Sequence, residues 1–190
     1  AAASVPDAAF TRICDLTLAD TELGYELRGC AASPDGQYLY AGFLQNTRDV
    51  QKISVSSGEI ADSYTPAISE VSNPVDRYPK GLAVDDRGNL FVGLTHAEAG
   101  DNHKITLAAV KEATMEIGHV TEAVAASGTN VGVNGVAVVK TGDTYLCYMA
   151  VSYHNFSIRC YDVTDPENIV LYTDFAQNGV CQTAYTPFYL

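Results

Sequence analysis

Four residues that stand close together in this 190-residue chain could do proton chemistry on a charged sugar: Arg77, Tyr78, Lys80 and His96. A histidine and a tyrosine can act as base and acid, and a neighbouring cation can neutralise the carboxylate of a uronic acid. Together these supply what β-elimination of an acidic polysaccharide needs. His154, beside Tyr153, offers a second such pair. The competing reading makes them solvated loop residues, and a His–Tyr contact beside a cation separates the two. Other catalytic sets are missing. There is no Gly-x-Ser-x-Gly elbow and no His-Glu-x-x-His. The glycine-rich stretch 128–135 lacks the Gly-Lys-Ser/Thr ending of a phosphate loop. Asp15, Asp20, Glu22 and Glu26 lack the spacing of a calcium loop. No metal and no cofactor are expected.

The cysteines are Cys14, Cys30, Cys147, Cys160 and Cys181. No Cys-x-x-Cys and no Cys/His spacing suggests zinc. Residues 144–151 and 156–162 read as two strands of a hairpin. If that hairpin is centred between Tyr153 and His154, Cys147 faces Cys160 within disulfide range. Two buried thiols are the alternative. Asn155-Phe-Ser157 is a glycosylation sequon on the same turn. A disulfide and a sequon together imply a secreted or extracellular protein. The odd cysteine count leaves the partners of Cys14, Cys30 and Cys181 open, and one could pair with another chain.

These residues sit in a repeated frame. Lys80-Gly-Leu-Ala-Val-Asp-Asp-Arg-Gly-Asn-Leu-Phe-Val reads as a short apolar strand, a polar turn and a second apolar strand. The same form starts at Arg28-Gly-Cys-Ala, at Asn134-Gly-Val-Ala and, as a start only, at Asn178-Gly-Val-Cys. The first three starts are separated by about 50 residues, the mark of a repeat architecture. Strands are expected at 30–33, 38–44, 50–55 and 59–64; at 82–85, 90–94, 104–110 and 114–120; at 135–139, 145–151, 156–163 and 169–175; and at 180–186. The intervening turns carry Pro, Asp and Gly in turn positions, as in Pro34-Asp-Gly36. Four short strands per repeat predict an all-β fold, a β-propeller of four-stranded antiparallel blades. About three blades are full: a lead at 1–27 with one or two strands, one of them at 10–18, then blades at 28–79, 80–133 and 134–177, and the first strand of an incomplete blade at 178–190. A plain β-sandwich would leave the repeated starts unexplained.

The bulk numbers exclude several functions. The net charge is −12, from 23 acidic against 11 basic residues, the wrong sign for nucleic acid. No apolar run approaches the ~18 residues of a membrane span. The apolar content of 47% is that of a folded domain. The opening Ala1-Ala-Ala-Ser reads as the start of a processed or excised chain.

The repeat unit from Gly81 to Val92 resembles the blade motif of NHL-repeat and gluconolactonase-like (SMP-30-type) propellers. Asn134-Gly-Val-Ala is similar to the strand start of that lactonase group, and Tyr161-Asp-Val-Thr-Asp-Pro166 to a blade ending in LVIVD-type surface propellers. The resemblance covers three blades and implies a fold more than a function. In the lactonase group the Asn of the Asn-Gly start faces the central channel and helps to bind a metal. Here the four matching positions are Arg28, Lys80, Asn134 and Asn178. Two cations and no carboxylate suit a carboxylate or sugar ligand better than a divalent ion. Pairing of Arg28 and Lys80 with Glu26 or Asp76 is the alternative. Three blades do not close a ring, so the two ends could join into a thin fourth blade, or another chain, further copies, or more of a longer propeller would complete it, the last three being the favoured outcomes. The functional expectation is a secreted or cell-surface module for protein or glycan recognition or for assembly. The alternative is a carbohydrate-active lyase or hydrolase, with a metal-dependent lactonase behind both.

Overall fold

A computed structural model describes residues 26–44, 50–64, 76–97, 102–111, 114–121, 124–127, 132–152 and 157–182. The described residues contain fourteen strands and no helix, arranged as three antiparallel sheets. The first sheet is the meander β1 (Glu26–Ala32), β2 (Tyr38–Leu44), β3 (Val50–Ser54) and β4 (Ile60–Tyr64). The second runs β5 (Asp76–Val84), β6 (Asn89–Ala97), β7 (Asn102–Lys111) and β8 (Glu116–Val120), and β9 (Val124–Ser127) also pairs with β7. The third runs β10 (Gly132–Thr141), β11 (Thr144–Ser152), β12 (Ser157–Asp162) and β13 (Val170–Leu171), and β14 (Val180–Gln182) also pairs with β12. The described sheets form no closed barrel or ring.

The turns form for local reasons. Gly36, Gly58, Gly88 and Gly142 all take φ between +62° and +82°, which a glycine adopts without a Cβ penalty. In the first sheet, Asp35 accepts from the Ser33 hydroxyl at 2.6 Å and from the Gln37 N–H at 2.9 Å. The Ser33 bond, followed by the Gln37 bond, holds the Asp35 carboxyl below its usual range. In the second sheet Asp85 does the same work, accepting from the N–H groups of Arg87 and Asn89.

The second sheet is apolar on both faces because both are covered. Leu82, Leu90, Val92 and Leu94 pack on Tyr40 and Val50 of the first sheet. Phe91, Ile105 and Leu107 pack on Val133, Val136, Met149 and Tyr161 of the third. Glycines set the spacing. Gly29 and Gly42 are cross-strand partners, and a Cβ on either would strike the backbone of β5 at Lys80 or Pro79. Gly81 and Gly93 are partners in the second sheet, and their Cβ atoms would strike Gly135, Val133 and Val136 of β10.

Three expectations are corrected. Residues 121–133, where no strand is expected between those at 114–120 and 135–139, contain β9, which shares the outer edge of β7 with β8. The fourth start, at Asn178, is not an inner strand. Asn178 and Gly179 take φ of +51° and +84° between mutually bonded Gln177 and Val180, the hallmarks of a type I′ hairpin turn. That turn places β14 on the outer edge of the third sheet, so residues 178–182 complete that sheet instead of opening a new one. The disulfide register is the third. Cys147 lies opposite Tyr161, and Cys160 opposite Tyr148. The connection after the Val151–Ser157 pair spans an odd number of residues, so the register slips by one and the two cysteines take opposite faces. No disulfide joins Cys147 and Cys160. Burial, and then the neighbouring Cys160, pushes the Cys147 thiol far above its ordinary range.

Candidate functional sites at the bulges and between the sheets

In each sheet the first hairpin slips register once, between Leu27 and Gly29, between Pro79 and Gly81, and between Val133 and Gly135. The bulged residues are Arg28, Lys80 and Asn134, three of the four positions singled out from the repeat. A bulge re-aims its residue and commonly lies near functional sites. The following glycines bring the bulges into one row: Gly29 abuts the Lys80 carbonyl, and Gly81 lies against the Gly135–Val136 peptide. Lys80 also reaches across to the third sheet. Its Nζ lies 3.5 Å from where a Cβ would sit on Gly132, and the Thr95 hydroxyl is 3.0 Å from the same point. Thr95 is buried and accepts from the Val133 N–H at 2.8 Å. Arg28, Lys80 and Asn134 each have an interaction partner within the protein. Asn178 stands apart from the row, in its exposed turn.

The proposed proton-transfer set falls on the hairpin of β5 and β6. Arg77 is the direct cross-strand partner of His96, and Tyr78 that of Thr95. Lys80 follows at the bulge. Tyr153, His154 and the sequon residue Asn155 lie outside the described residues, as does Cys14. Cys30 is exposed on β1. Among the described residues no group of three or more His, Cys, Asp or Glu could hold a metal ion.

Two further polar clusters join the second and third sheets. The first is a clasp around Arg87. Its guanidinium bonds the Asp85 carboxylate at 2.7 and 2.9 Å and the carbonyls of Val163 and Thr164 at 3.0 and 2.6 Å. The same group lies 3.6 Å from the centre of the Tyr145 ring, within cation–π range. The Tyr145 hydroxyl donates to Asp86 at 2.5 Å, and Lys140 approaches both the ring and Asp86. Every polar group in the clasp has a protein partner, so its chemistry is that of a fastener.

The second cluster lines a cleft of about 330 Å³ between the outer strands of the two sheets. His119 and Thr121 form one wall; Arg159, Tyr161 and Ile169–Leu171 form the other. Arg159 Nε is buried and has no hydrogen-bond partner among the described residues. Burial pushes the Tyr161 hydroxyl up, and the adjacent Arg159 guanidinium partly offsets this. Neither cluster was legible in the chain. Arg87 reaches carbonyls 76 and 77 residues ahead, and no local spacing encodes such a contact.

No protein-family profile matches the chain, and a search of curated proteins finds no match.

Proposed function

We propose that the chain supplies blades of a β-propeller of the NHL- and SMP-30-like kind, and that it works outside the cell as a recognition or assembly module for a glycan or a protein. The observation that carries this is the row of bulges at Arg28, Lys80 and Asn134, held together by Gly29 and Gly81. A propeller stacks its blades face to face with their first strands innermost, and the glycine contacts between β1, β5 and β10 support that arrangement. Two cations and an amide at the bulges favour a carboxylated sugar or an acidic protein loop. Without the Cys147–Cys160 bridge, the extracellular setting rests on the Asn155 sequon. Secretion from a eukaryotic host then adds glycan mass that Asn155→Gln abolishes.

The test is binding of oligogalacturonate against a neutral oligosaccharide of equal length, by calorimetry. The expected result is binding of the acidic sugar alone, weakened at least tenfold in the Arg28→Gln/Lys80→Gln double variant. Equal binding of the two sugars, or a double variant that binds as the parent does, overturns the reading. The register pair Arg77–His96 beside Lys80 favours a second reading, a uronate lyase. Release of unsaturated uronate ends, lost in His96→Ala, would establish it.

A further inference from the structure

We infer that the outer face of the first sheet, the one turned away from the second sheet, is a docking surface for a segment of this same chain, residues 10–18. The docking holds whether or not the bulge row binds a sugar, because it concerns the apolar face of the sheet and not its inner edge.

Successive side chains of a strand point to opposite faces, and the contacts of the first sheet fix which is which. Tyr40 and Val50 pack on the second sheet, and Gly42 abuts β5. Their neighbours Ala41 and Phe43 on β2 therefore point the other way, and so does Ile53 on β3, which the register sets opposite Leu39. Ala41, Phe43 and Ile53 form an apolar cluster of their own, with Leu39 packed against it. On a bare sheet face these side chains would meet water. They are instead only 3%, 5% and 2% exposed. Among the described strands, those of the second sheet pack on the first, and they do so on its opposite face. The cover over Ala41, Phe43 and Ile53 therefore comes from outside the described residues.

The longest stretches outside the described residues are 1–25, 65–75 and 183–190. Residues 65–75 leave β4, at the outer edge of the first sheet, for β5 of the second. Residues 183–190 continue from β14 on the third sheet. Residues 1–25 run directly into β1, a strand of the sheet that needs the cover. The strand expected at 10–18 lies among them, outside the described residues. Its alternation suits the task. Phe10, Cys14, Leu16 and Leu18 share one side, interrupted only by Arg12, and the other side carries Thr11, Ile13, Asp15 and Thr17. Nine extended residues span about 30 Å and four neighbouring strands about 14 Å, so the segment can cross the whole sheet. Residues 19–25 allow up to about 25 Å for the return to β1, against about 10 Å between stacked layers. Exposure across the face places the segment further. Cys30 and Leu27 on β1 are exposed, whereas their partners Ala41 and Phe43 on β2 are buried. The segment therefore lies over β2 and β3 and leaves β1 uncovered.

The test is methyl NMR on the full chain, repeated on an equal mixture of isotope-labelled and unlabelled protein. The expected result is NOEs within one chain, from the Leu16 and Leu18 methyls to the Phe43 ring and the Ile53 methyls. Leu16→Ala should lower the urea midpoint by about 1 M, from the cost of truncating a buried leucine and the usual urea slope. Thr17→Ala, on the other side of the segment, should leave the midpoint where it is. NOEs to the Ile53 methyls from Ile68, Phe188 or Leu190 would give the face to another segment, and NOEs between labelled and unlabelled chains would give it to a second copy. Either result overturns the proposal, as does a face without any NOE to residues 10–18, or a Leu16→Ala midpoint equal to that of Thr17→Ala. The NOEs are read on the parent protein, so they decide the matter even where Leu16→Ala fails to fold.

Discussion

Replacing Gly81 by alanine should destabilise the protein, and the size of the effect follows from the contact it creates. The added Cβ would lie 2.7 Å from the Gly135 carbonyl carbon and from the Val136 nitrogen, and 2.8 Å from Val136 Cγ2. Two of these are backbone atoms of β10 and cannot rotate aside. Ordinary contact begins near 3.4 Å, so β5 and β10 must part locally by about 0.7 Å. A gap of that size forfeits roughly a quarter to a half of each neighbouring dispersion contact. Overpacking of this kind costs about 1–3 kcal/mol. Alanine also narrows the unfolded ensemble, which stabilises by about 0.4–1 kcal/mol where the backbone accepts it. The net expectation is a loss of about 1–2 kcal/mol. For a chain of this length that is a fall in melting temperature of about 2–8 °C. Urea denaturation followed by tyrosine fluorescence reads it, since the chain has no tryptophan. Gly118→Ala is the internal comparison: its nearest neighbour would be the Pro166 carbonyl oxygen at 3.2 Å, and it should cost clearly less. A Gly81→Ala protein as stable as the parent, or more so, would mean that the sheets do not approach through glycine, and the stacking derived from these contacts would be wrong.

Arg87→Met should cost about 2–3 kcal/mol in the same assay, because the Asp85 carboxylate, only 1% exposed, loses its charge partner. Adding Asp85→Asn should recover part of that loss, and a double variant worse than the single would refute the pairing. Stability should fall at alkaline pH. The Cys147 thiol is raised on folding, so above the unfolded value near 8.5 the folded chain holds a proton that the unfolded chain releases. The slope is about 1.4 kcal/mol per pH unit, and Cys147→Ala should flatten it in urea midpoints from pH 7 to 10. Iodoacetamide should label the exposed Cys30 in the native protein and Cys147 only after unfolding. Gly179→Ala should cost about 1–3 kcal/mol, combining a φ of +84° with a Cβ 2.5 Å from Leu171 Cγ. Asn178→Gly in the same turn should change the midpoint by only a few tenths of a kcal/mol.

Most strands were legible because their signals are local. Alternating and doubly apolar runs such as Tyr38–Leu44 carry the strand pattern in their own residues, and Gly36, Gly58 and Gly88 mark turns through their own backbones. The repeat starts at Arg28, Lys80 and Asn134 were legible because a polar residue before a glycine recurs at one place in each unit, but that each start is a bulge is decided by the strand pairing. The strand β9 and the broken outer edges were not legible, because a short segment such as Val124–Ser127 becomes a strand only when the edge of β7 is there to pair with it.

The sequence by itself determined an all-β chain of three repeated hairpin units, with a cation or an amide before a glycine at each start. It could not distinguish two uses of Asn-Gly. Asn134-Gly135 is a bulge because the backbone of β5 packs against it, whereas Asn178-Gly179 is a hairpin turn because β12 offers an open edge beside it. Nor could it fix the hairpin register that sends Cys147 and Cys160 to opposite faces, since one residue in the turn decides it. The Arg87 clasp and the Arg159 cleft belong to tertiary structure alone. Both are made where two sheets meet, from residues whose separation along the chain carries no periodic signal, and they exist only once glycine has let the sheets come close.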